Sequence, residues 1–379
     1  MKKGIQAQLW DGKQFRAGWL SFSRGTIDSV SFRRPTAKRA ASLHDLSEVK
    51  LLPGFVDTLL HGYAGVDCGD GTPARLNRMT IELAKAGVTT ALAGFYPLSI
   101  DGFQRAAKNW NKWQQLKGRR AHIAGWHVEG PFISKVMSGA LPKSKILKPS
   151  AAAAQKFVDA CGGWLRVSTI APEVDGALEA CEVLRSNQVL PSIGHSQATY
   201  LDCEMLAANG KIAATHLGNR MLPLSARELG PIGMAMNGGI DYVAVIPDQI
   251  HVAAETLGLW ASTTKMKSRL IACSDNLSHA GKRAASFVSG GKKLQRSGCV
   301  AVDAAGNLGG TLDALPQLLL RAYRDGVLTL EQVVRMGCHN PGDMLGDCGR
   351  FEVGRRADFV EFKVSENSIG QVWCRGKKL

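Results

Sequence analysis

Four polar residues of this sequence follow short, mostly apolar runs of the kind that form buried β-strands. In chain order they are Glu129 after 125–128, His195 after 190–194, His216 after 212–215 and Asp275 after 270–274. One carboxylate and two imidazoles can bind a catalytic zinc ion while a fourth position stays open for water. Such an ion activates the water and polarises a carbonyl group, so this residue set predicts metal-assisted hydrolysis.

Asp275 adds a carboxylate that could take a proton from the water and pass it to the leaving group. Each residue also has a structural interpretation. Either histidine could be a hydrogen-bonded structural group, Glu129 could cap a turn, and Asp275 could cap a helix. Both interpretations stay open at this point, because only the meeting of all four side chains would separate them.

The segment that carries these residues alternates strand-like runs with helical stretches over about 290 residues. The predicted strands are 89–95, 122–128, 165–170, 189–193, 212–215, 242–246 and 270–273. The predicted helices are 76–86, 100–116, 151–160, 178–187 and 253–264. This alternation is typical of a parallel α/β fold, and about eight units would close a TIM-type (β/α)8 barrel. A doubly wound open sheet is the alternative, but no Gly-x-Gly-x-x-Gly turn follows a strand.

The two ends of the chain have a different pattern from the middle. Apolar and polar residues alternate through the first 50 residues and again near the C-terminus, with glycines between the runs. This pattern indicates short strands. We therefore expect a small β-sandwich domain formed by residues 1–50 plus 347–379, and a metal-dependent hydrolase barrel formed by residues 51–346.

Composition narrows the class of protein. Of the 379 residues 45% are hydrophobic, and the net charge is +15, which favours anionic partners. Lysines and arginines are scattered without a nucleic-acid-binding motif, so no nucleic-acid partner is expected. Nine cysteines without a Cys-x-x-Cys pair indicate reduced thiols. Without a signal peptide or an apolar run of about 18 residues, we expect a cytoplasmic protein with no membrane partner.

Several longer motifs occur in a fixed order between residues 52–57 and 357–358. They are 127–132 (HVEGPF), 171–173 (APE), 194–200 (GHSQATY), 215–221 (THLGNRM), 227–228 (RE), 248–251 (DQIH) and 274–275 (SD). In this order and spacing, the sequence resembles the N-acetylglucosamine-6-phosphate deacetylase family of the amidohydrolase superfamily. The resemblance covers most of the chain and also implies the barrel with a small terminal β-sandwich.

The resemblance implies an enzyme that hydrolyses N-acetyl-D-glucosamine 6-phosphate to D-glucosamine 6-phosphate and acetate. It implies Glu129, His195 and His216 as ligands of one divalent ion per subunit. Zinc is the first expectation, and iron or cobalt would suit the same ligands. Asp275 would be the general base and then the general acid.

The resemblance also assigns a phosphorylated amino-sugar substrate to a set of binding residues. Asn219, the backbone near Arg220, and Arg227 would hold the phosphate, and His251 would contact the sugar. The planar guanidinium of Arg227 suits a phosphate, although a surface pair with Glu228 is the alternative. A homodimer is expected, in which the neighbouring subunit helps to bind the phosphate.

Two positions depart from the family pattern. Leu59 stands where the first residue of a His-x-His pair is expected, and the remaining His61 alone indicates a single metal ion. Leu141 stands where a histidine near the substrate is expected. These departures leave two alternatives open: an amidohydrolase for another N-acyl substrate, such as a galactosamine analogue, and a catalytically decayed barrel that binds a sugar phosphate.

Overall fold

A computed structural model describes residues 3–289 and 291–379, in which strands and helices alternate. The strands are β1 (Lys3–Trp10), β2 (Phe15–Ser23), β3 (Thr26–Ser31), β4 (His44–Pro53), β5 (Phe55–Leu60), β6 (Gly62–Tyr63), β7 (Val66–Asp67), β8 (Val88–Phe95), β9 (His122–Phe132), β10 (Leu165–Ile170), β11 (Leu190–Ile193), β12 (Ala213–Ala214), β13 (Tyr242–Val245), β14 (Leu270–Ala272), β15 (Ser286–Ser289), β16 (Lys292–Ser297), β17 (Val300–Val302), β18 (Leu308–Thr311), β19 (Phe359–Lys363), β20 (Ser368–Cys374) and β21 (Lys377–Lys378). The helices are α1 (Ala37–Ala40), α2 (Pro73–Lys85), α3 (Ile100–Gln114), α4 (Ala151–Ala160), α5 (Ala177–Ser186), α6 (Tyr200–Ala207), α7 (Gly230–Met236), α8 (Ala254–Ser262), α9 (Leu315–Arg324), α10 (Leu330–Val334) and α11 (Asn340–Leu345).

The central sheet is a barrel of eight parallel strands in the order β14-β13-β12-β11-β10-β9-β8-β5. Its two edge strands are joined through the residues that follow β14. The Asp275 amide donates to the Leu59 carbonyl at 2.9 Å, and the His61 amide donates to the Asn276 carbonyl at 2.8 Å. These bonds complete the ring, which places the C-terminal strand ends on a common rim. The (β/α)8 prediction is confirmed.

The strand and helix predictions of the middle segment match the structure to within a few residues at each boundary. One local difference concerns Glu129, which was expected just after a strand. Strand β9 continues through Glu129 to Phe132, because the Phe132 carbonyl still accepts the Ala171 amide at 2.9 Å beside β10. Register shifts between β9 and β10 accompany this extension.

The strands from the two chain ends pair in one seven-stranded sheet, in the order β21-β20-β19-β4-β1-β2-β3. C-terminal strand β19 pairs with β4 from the N-terminal segment, with Phe359 opposite Pro53. The two termini therefore build a common β-structure, as the sequence indicated. The domain limits at residues 50 and 347 stay a prediction.

A further antiparallel sheet, β15-β16-β17-β18, follows the last barrel strand and was not expected from the sequence. It lies next to the rim, because the Leu277 amide donates to the Thr311 carbonyl at 3.1 Å. Leu277, Phe287 and Leu294 belong to a small apolar cluster of their own. This sheet therefore brings residues distant from the barrel strands to the mouth of the barrel.

Several helices begin at a serine or threonine that satisfies a free backbone amide. The N-cap hydroxyls of Thr72, Ser99, Ser150 and Thr199 each accept a hydrogen bond from an amide in the first turn, which stabilises a helix by about 1 kcal/mol. Within the described residues, the helices are all too short or too polar to cross a lipid bilayer.

Candidate active site

Glu129, His195 and His216 meet at the C-terminal rim of the barrel. The Nε2 atoms of His195 and His216 lie 3.1 Å and 2.7 Å from the same Glu129 oxygen, Oε1. The three side chains are buried, and their donor atoms lie within 4.8 Å of one another. Two histidines from different strands thus face one carboxylate oxygen, as ligands of a common ion would.

An unusual backbone conformation directs the two histidines and Asp275 into the mouth of the barrel. These residues have φ angles of 49°, 34° and 51°, in the left-handed region that L-residues rarely adopt. Each such residue costs about 1–3 kcal/mol and persists only where the surrounding structure holds it. Three of the ten non-glycine residues with positive φ angles in the described part of the chain are therefore residues that the sequence analysis selected for chemistry.

The protonation of His195 bears on whether a cation fits between the ligands. Its Nδ1 lies 2.9 Å from the Met137 carbonyl, which can only accept, so Nδ1–H is the donor. In the neutral ring, Nε2 then carries a lone pair that faces the Glu129 carboxylate at 3.1 Å. Two facing lone pairs repel unless a cation lies between them, so this donor set fits a metal ion.

Burial and charge act in opposite directions on the pKa of Glu129. Burial raises the pKa of this carboxyl, but the close contacts of its oxygens with His195, His216 and His61 outweigh burial and hold the pKa well below its usual range. Burial lowers the pKa of His216, but the hydrogen bond and the charge of Glu129 outweigh it and raise the pKa. The site therefore keeps an ionised carboxylate in a buried position.

Asp275 lies beside this group and is linked to it by His61. His61 Nε2 is 2.9 Å from Glu129 Oε2 and 3.3 Å from Asp275 Oδ1. These three residues form a second set of adjacent donors that could hold a cation. The ring of His61 stacks on Tyr96, with centroids 4.0 Å apart and planes at 11°. His61 therefore belongs to the site, although no role was predicted for it from the sequence.

A pocket of about 430 Å³ opens above these residues. Asn219, Arg220 and His251 line it, together with the candidate metal ligands Glu129, His195 and His216 and with Asp275. The Nδ1 of His251 bonds the buried Asp248 carboxylate at 2.6 Å, which fixes the orientation of the ring. Three of the four predicted substrate-binding residues therefore face the same cavity as the candidate catalytic groups.

Arg227 does not line this pocket. It lies in an exposed loop, and within the described residues its side chain has no ion pair. The adjacent Glu228 carboxylate instead accepts the Tyr200 and Gly230 amides, both at 2.8 Å. The Arg227 guanidinium is thus exposed and without an acidic partner among the described residues.

The pocket wall contains residues that the sequence did not single out for binding. Leu141, the substitution for the expected histidine, lines the cavity as a buried apolar side chain. Tyr96 stands directly after β8, so the search for polar residues at strand ends could have found it. Leu308 and Gly309 come from β18; no reactive side chain marked them in the sequence.

Below the rim, His127 fills the barrel interior. Its Nδ1–H donates to the Thr58 carbonyl at 2.9 Å, and its Nε2 accepts from Thr169 Oγ1 at 3.1 Å. Burial lowers the pKa of His127 to about 4. His127 is therefore a neutral, hydrogen-bonded histidine that connects three barrel strands beneath the candidate ligands.

The closed barrel and the donor set on its rim define a metal-dependent hydrolase of the amidohydrolase type. A sequence model for the amidohydrolase family matches residues 51–379. The chain belongs to the amidohydrolase family, which is metal-dependent.

Individual relatives carry more specific names. The N-acetylglucosamine-6-phosphate deacetylase of Bacillus subtilis (strain 168) is 28% identical over 376 residues, covering 98% of this chain and 94% of that protein. The N-acetylgalactosamine-6-phosphate deacetylase of Escherichia coli O157:H7 is 27% identical over 330 residues, covering 86% and 87%. The structure is similar to a mutant N-acetyl-D-glucosamine-6-phosphate deacetylase from Mycobacterium smegmatis in complex with N-acetyl-D-glucosamine 6-phosphate. That similarity has a TM-score of 0.88 at 26% identity, and it covers 100% of this chain and 99% of that one.

Proposed function

We propose that this protein is a deacetylase that hydrolyses N-acetyl-D-glucosamine 6-phosphate to D-glucosamine 6-phosphate and acetate. The observation that carries the proposal is the meeting of Glu129, His195 and His216 beside Asp275 in one pocket. Relatives that cover most of the chain and bear the deacetylase name support the choice of substrate.

Glu129, His195 and His216 would hold one divalent ion, with zinc as the first expectation and iron or cobalt as alternatives. The bound ion would supply Lewis-acid activation of water and of the amide carbonyl. The protein fixes the ligands: the Met137 carbonyl holds the His195 ring, so its Nε2 stays directed at the shared point.

Asp275 would carry the proton. Its carboxylate accepts a proton from the attacking water as the new C–O bond forms. It then donates that proton to the amide nitrogen as the C–N bond breaks, so acetate and the free amine leave. His61, 3.3 Å from Asp275 Oδ1, orients the carboxylate for both steps.

Asn219, the backbone at Arg220 and His251 would bind the sugar phosphate inside the pocket. Arg227 lies outside its own pocket, and we propose a homodimer in which Arg227 of the partner subunit completes the phosphate site. A guanidinium suits this task because its planar fork pairs with two phosphate oxygens.

Leu141 favours a second candidate substrate within the same class. An apolar side chain cannot donate the hydrogen bond that a histidine would offer to the substrate. N-acetyl-D-galactosamine 6-phosphate is the alternative, since a relative is named for that activity.

All nine cysteines are buried free thiols. A reducing compartment suits such thiols, so the cytoplasm is the proposed location.

The test is acetate release by the purified, metal-loaded protein from four sugars: the 6-phosphates of N-acetylglucosamine and N-acetylgalactosamine, and the two unphosphorylated sugars. We expect the glucosamine phosphate to be preferred and a chelator to abolish turnover. If the protein prefers N-acetylgalactosamine 6-phosphate, that sugar phosphate replaces N-acetylglucosamine 6-phosphate as the proposed substrate. A protein with about one bound metal ion that releases acetate from none of them would refute the proposal, and a protein that binds no metal would be a decayed barrel.

A further inference from the structure

A second cavity, of about 900 Å³, lies away from the rim. Its walls come from the turn between β2 and β3, the segment that enters β9, and the turn between β20 and β21. It shares no lining residue with the catalytic pocket. β9 runs from His122 near this cavity to Glu129 at the rim; at about 3.3 Å per residue, these two residues lie about 23 Å apart.

The charge of this cavity has one sign. Five cationic side chains line it, and no acidic one does: Arg24, Arg119, Arg120, Arg375 and Lys377. We call this surface the basic cleft. Among the described residues, none of the five forms an ion pair within 4.0 Å, although fifteen such pairs occur elsewhere. The nearby Asp358 is already engaged by Arg356 and by the Arg375 amide.

Two matching hairpin turns present the central arginines. Arg24-Gly25 and Arg375-Gly376 are both two-residue loops with positive φ angles: 52° and 90° in the first, 49° and 69° in the second. Asn-Gly or Asp-Gly is the usual pair for this geometry. Both turns instead place an arginine where a residue with a Cβ is strained.

The two turns are fixed against each other. The Ala357 amide donates to the Gly25 carbonyl at 3.0 Å, and the Gly376 amide donates to the Ala357 carbonyl at 2.7 Å. A Cβ at Gly25 would come within 2.6 Å of Arg375 Nε, so glycine leaves room for that side chain to lie across the turn.

The third wall of the basic cleft is also held in place. Arg119 donates to the Lys378 carbonyl at 2.8 Å, which ties it to the last hairpin. Arg120 donates to Asn77 Oδ1 at 2.9 Å and stacks over Trp113, 4.4 Å from the ring centroid. Cations held before a ligand arrives lose less conformational entropy when they bind it.

We propose that the basic cleft binds a small phosphorylated molecule that carries two or more linked phosphate groups. Guanidinium groups pair with phosphate oxygens in bidentate fashion. A single phosphate monoester carries a charge of about −1.5 to −2, which would leave several of the five cations unpaired. The cavity volume is within the range of about 300–1,000 Å³ typical of small-molecule sites. The cations converge on one concavity rather than forming a stripe, which favours a compact ligand over a nucleic acid.

The test uses isothermal titration calorimetry of the intact protein with inorganic tripolyphosphate, compared with inorganic phosphate. We expect tripolyphosphate to bind at least about tenfold more tightly. The double substitution R24Q/R375Q should weaken that binding by about tenfold or more, because it removes two charge-assisted contacts. The control R105Q/R324Q removes the same charge from exposed helix positions outside the cleft, and should change binding by less than about twofold. Acetate release should be unchanged in both.

Four outcomes would overturn the proposal. They are no binding of tripolyphosphate, equal weakening in both double variants, no weakening in R24Q/R375Q, and tighter binding of a single-stranded DNA oligonucleotide at the cleft. The last would identify a nucleic-acid surface. If R24Q/R375Q does not fold, K377Q tests the same cleft at an exposed residue.

Discussion

The regions at the two ends of strand β9 differ in whether their charged side chains are buried and paired. At the rim, Glu129 is buried and its oxygens face three histidines. At the other end, the basic cleft holds cations that are largely exposed and that lack acidic partners among the described residues. A buried charge must be paired because desolvation is costly, whereas water stabilises an exposed cation. Substitutions at the rim should therefore cost far more than substitutions in the cleft.

The largest effect is expected for Asp275→Asn. Removing the proposed proton carrier should lower kcat for acetate release by about 10²–10⁴-fold, the usual contribution of general acid–base catalysis. Metal content, measured by atomic emission, should stay near that of the wild type. Asp159→Asn, at an exposed helix end, is the matched control and should keep full activity. Wild-type turnover in Asp275→Asn would remove this residue from the mechanism.

The next effect concerns His127 and the dependence of stability on pH. The pKa of folded His127 is lowered to about 4, against 6.5 when it is unfolded. Below pH 6.5 the unfolded chain binds the proton first, so the stability contributed by neutral His127 is present above pH 6.5. It is lost as the pH falls toward 4, by about 3 kcal/mol in all. Urea unfolding of His127→Gln should show a flatter acid dependence than the wild type; identical slopes would contradict the assignment.

A smaller effect is expected for Arg227→Ala. It should lower kcat/KM for the 6-phosphate by about 10–100-fold, the value of a lost charged hydrogen bond, and hardly change the unphosphorylated sugar. Arg105→Ala, at an exposed site on α3, is the control. Mixing Arg227→Ala with Asp275→Asn should restore up to half of the activity if the arginine acts across a dimer. If the protein is monomeric, or if the mixture of the two variants stays inactive, Arg227 does not contribute to an active site shared between two subunits.

The smallest effect is expected beside the basic cleft. Burial, together with the charges of Arg356 and Arg375, lowers the pKa of His122 to about 4. Arg375→Gln removes one of these charges and should raise that pKa modestly, because burial remains the main cause. Nuclear magnetic resonance of the His122 ring measures the change, and Arg324→Gln is the control. An unchanged pKa of His122 would mean that Arg375 does not contribute to the electrostatic potential at this end of β9.

Much of the active site could be predicted from local sequence patterns. The alternation of strands and helices predicted a barrel, and polar residues after four apolar runs predicted a common rim. That inference works because parallel strands place their C-terminal ends together whatever the loops between them do. It placed His195, His216 and Asp275 correctly relative to their strands, and missed only that β9 extends beyond Glu129.

The remaining features depended on contacts between segments far apart in the chain. His61 joins Glu129 to Asp275 only because bonds after β14 close the ring at β5. The basic cleft forms only where two hairpins and the entry to β9 meet, and no single stretch of sequence contains it. The sequence by itself determined the periodicity and the residue types, which are local properties. Tertiary structure decided which charges are buried and paired, because desolvation depends on the neighbours that the whole fold supplies.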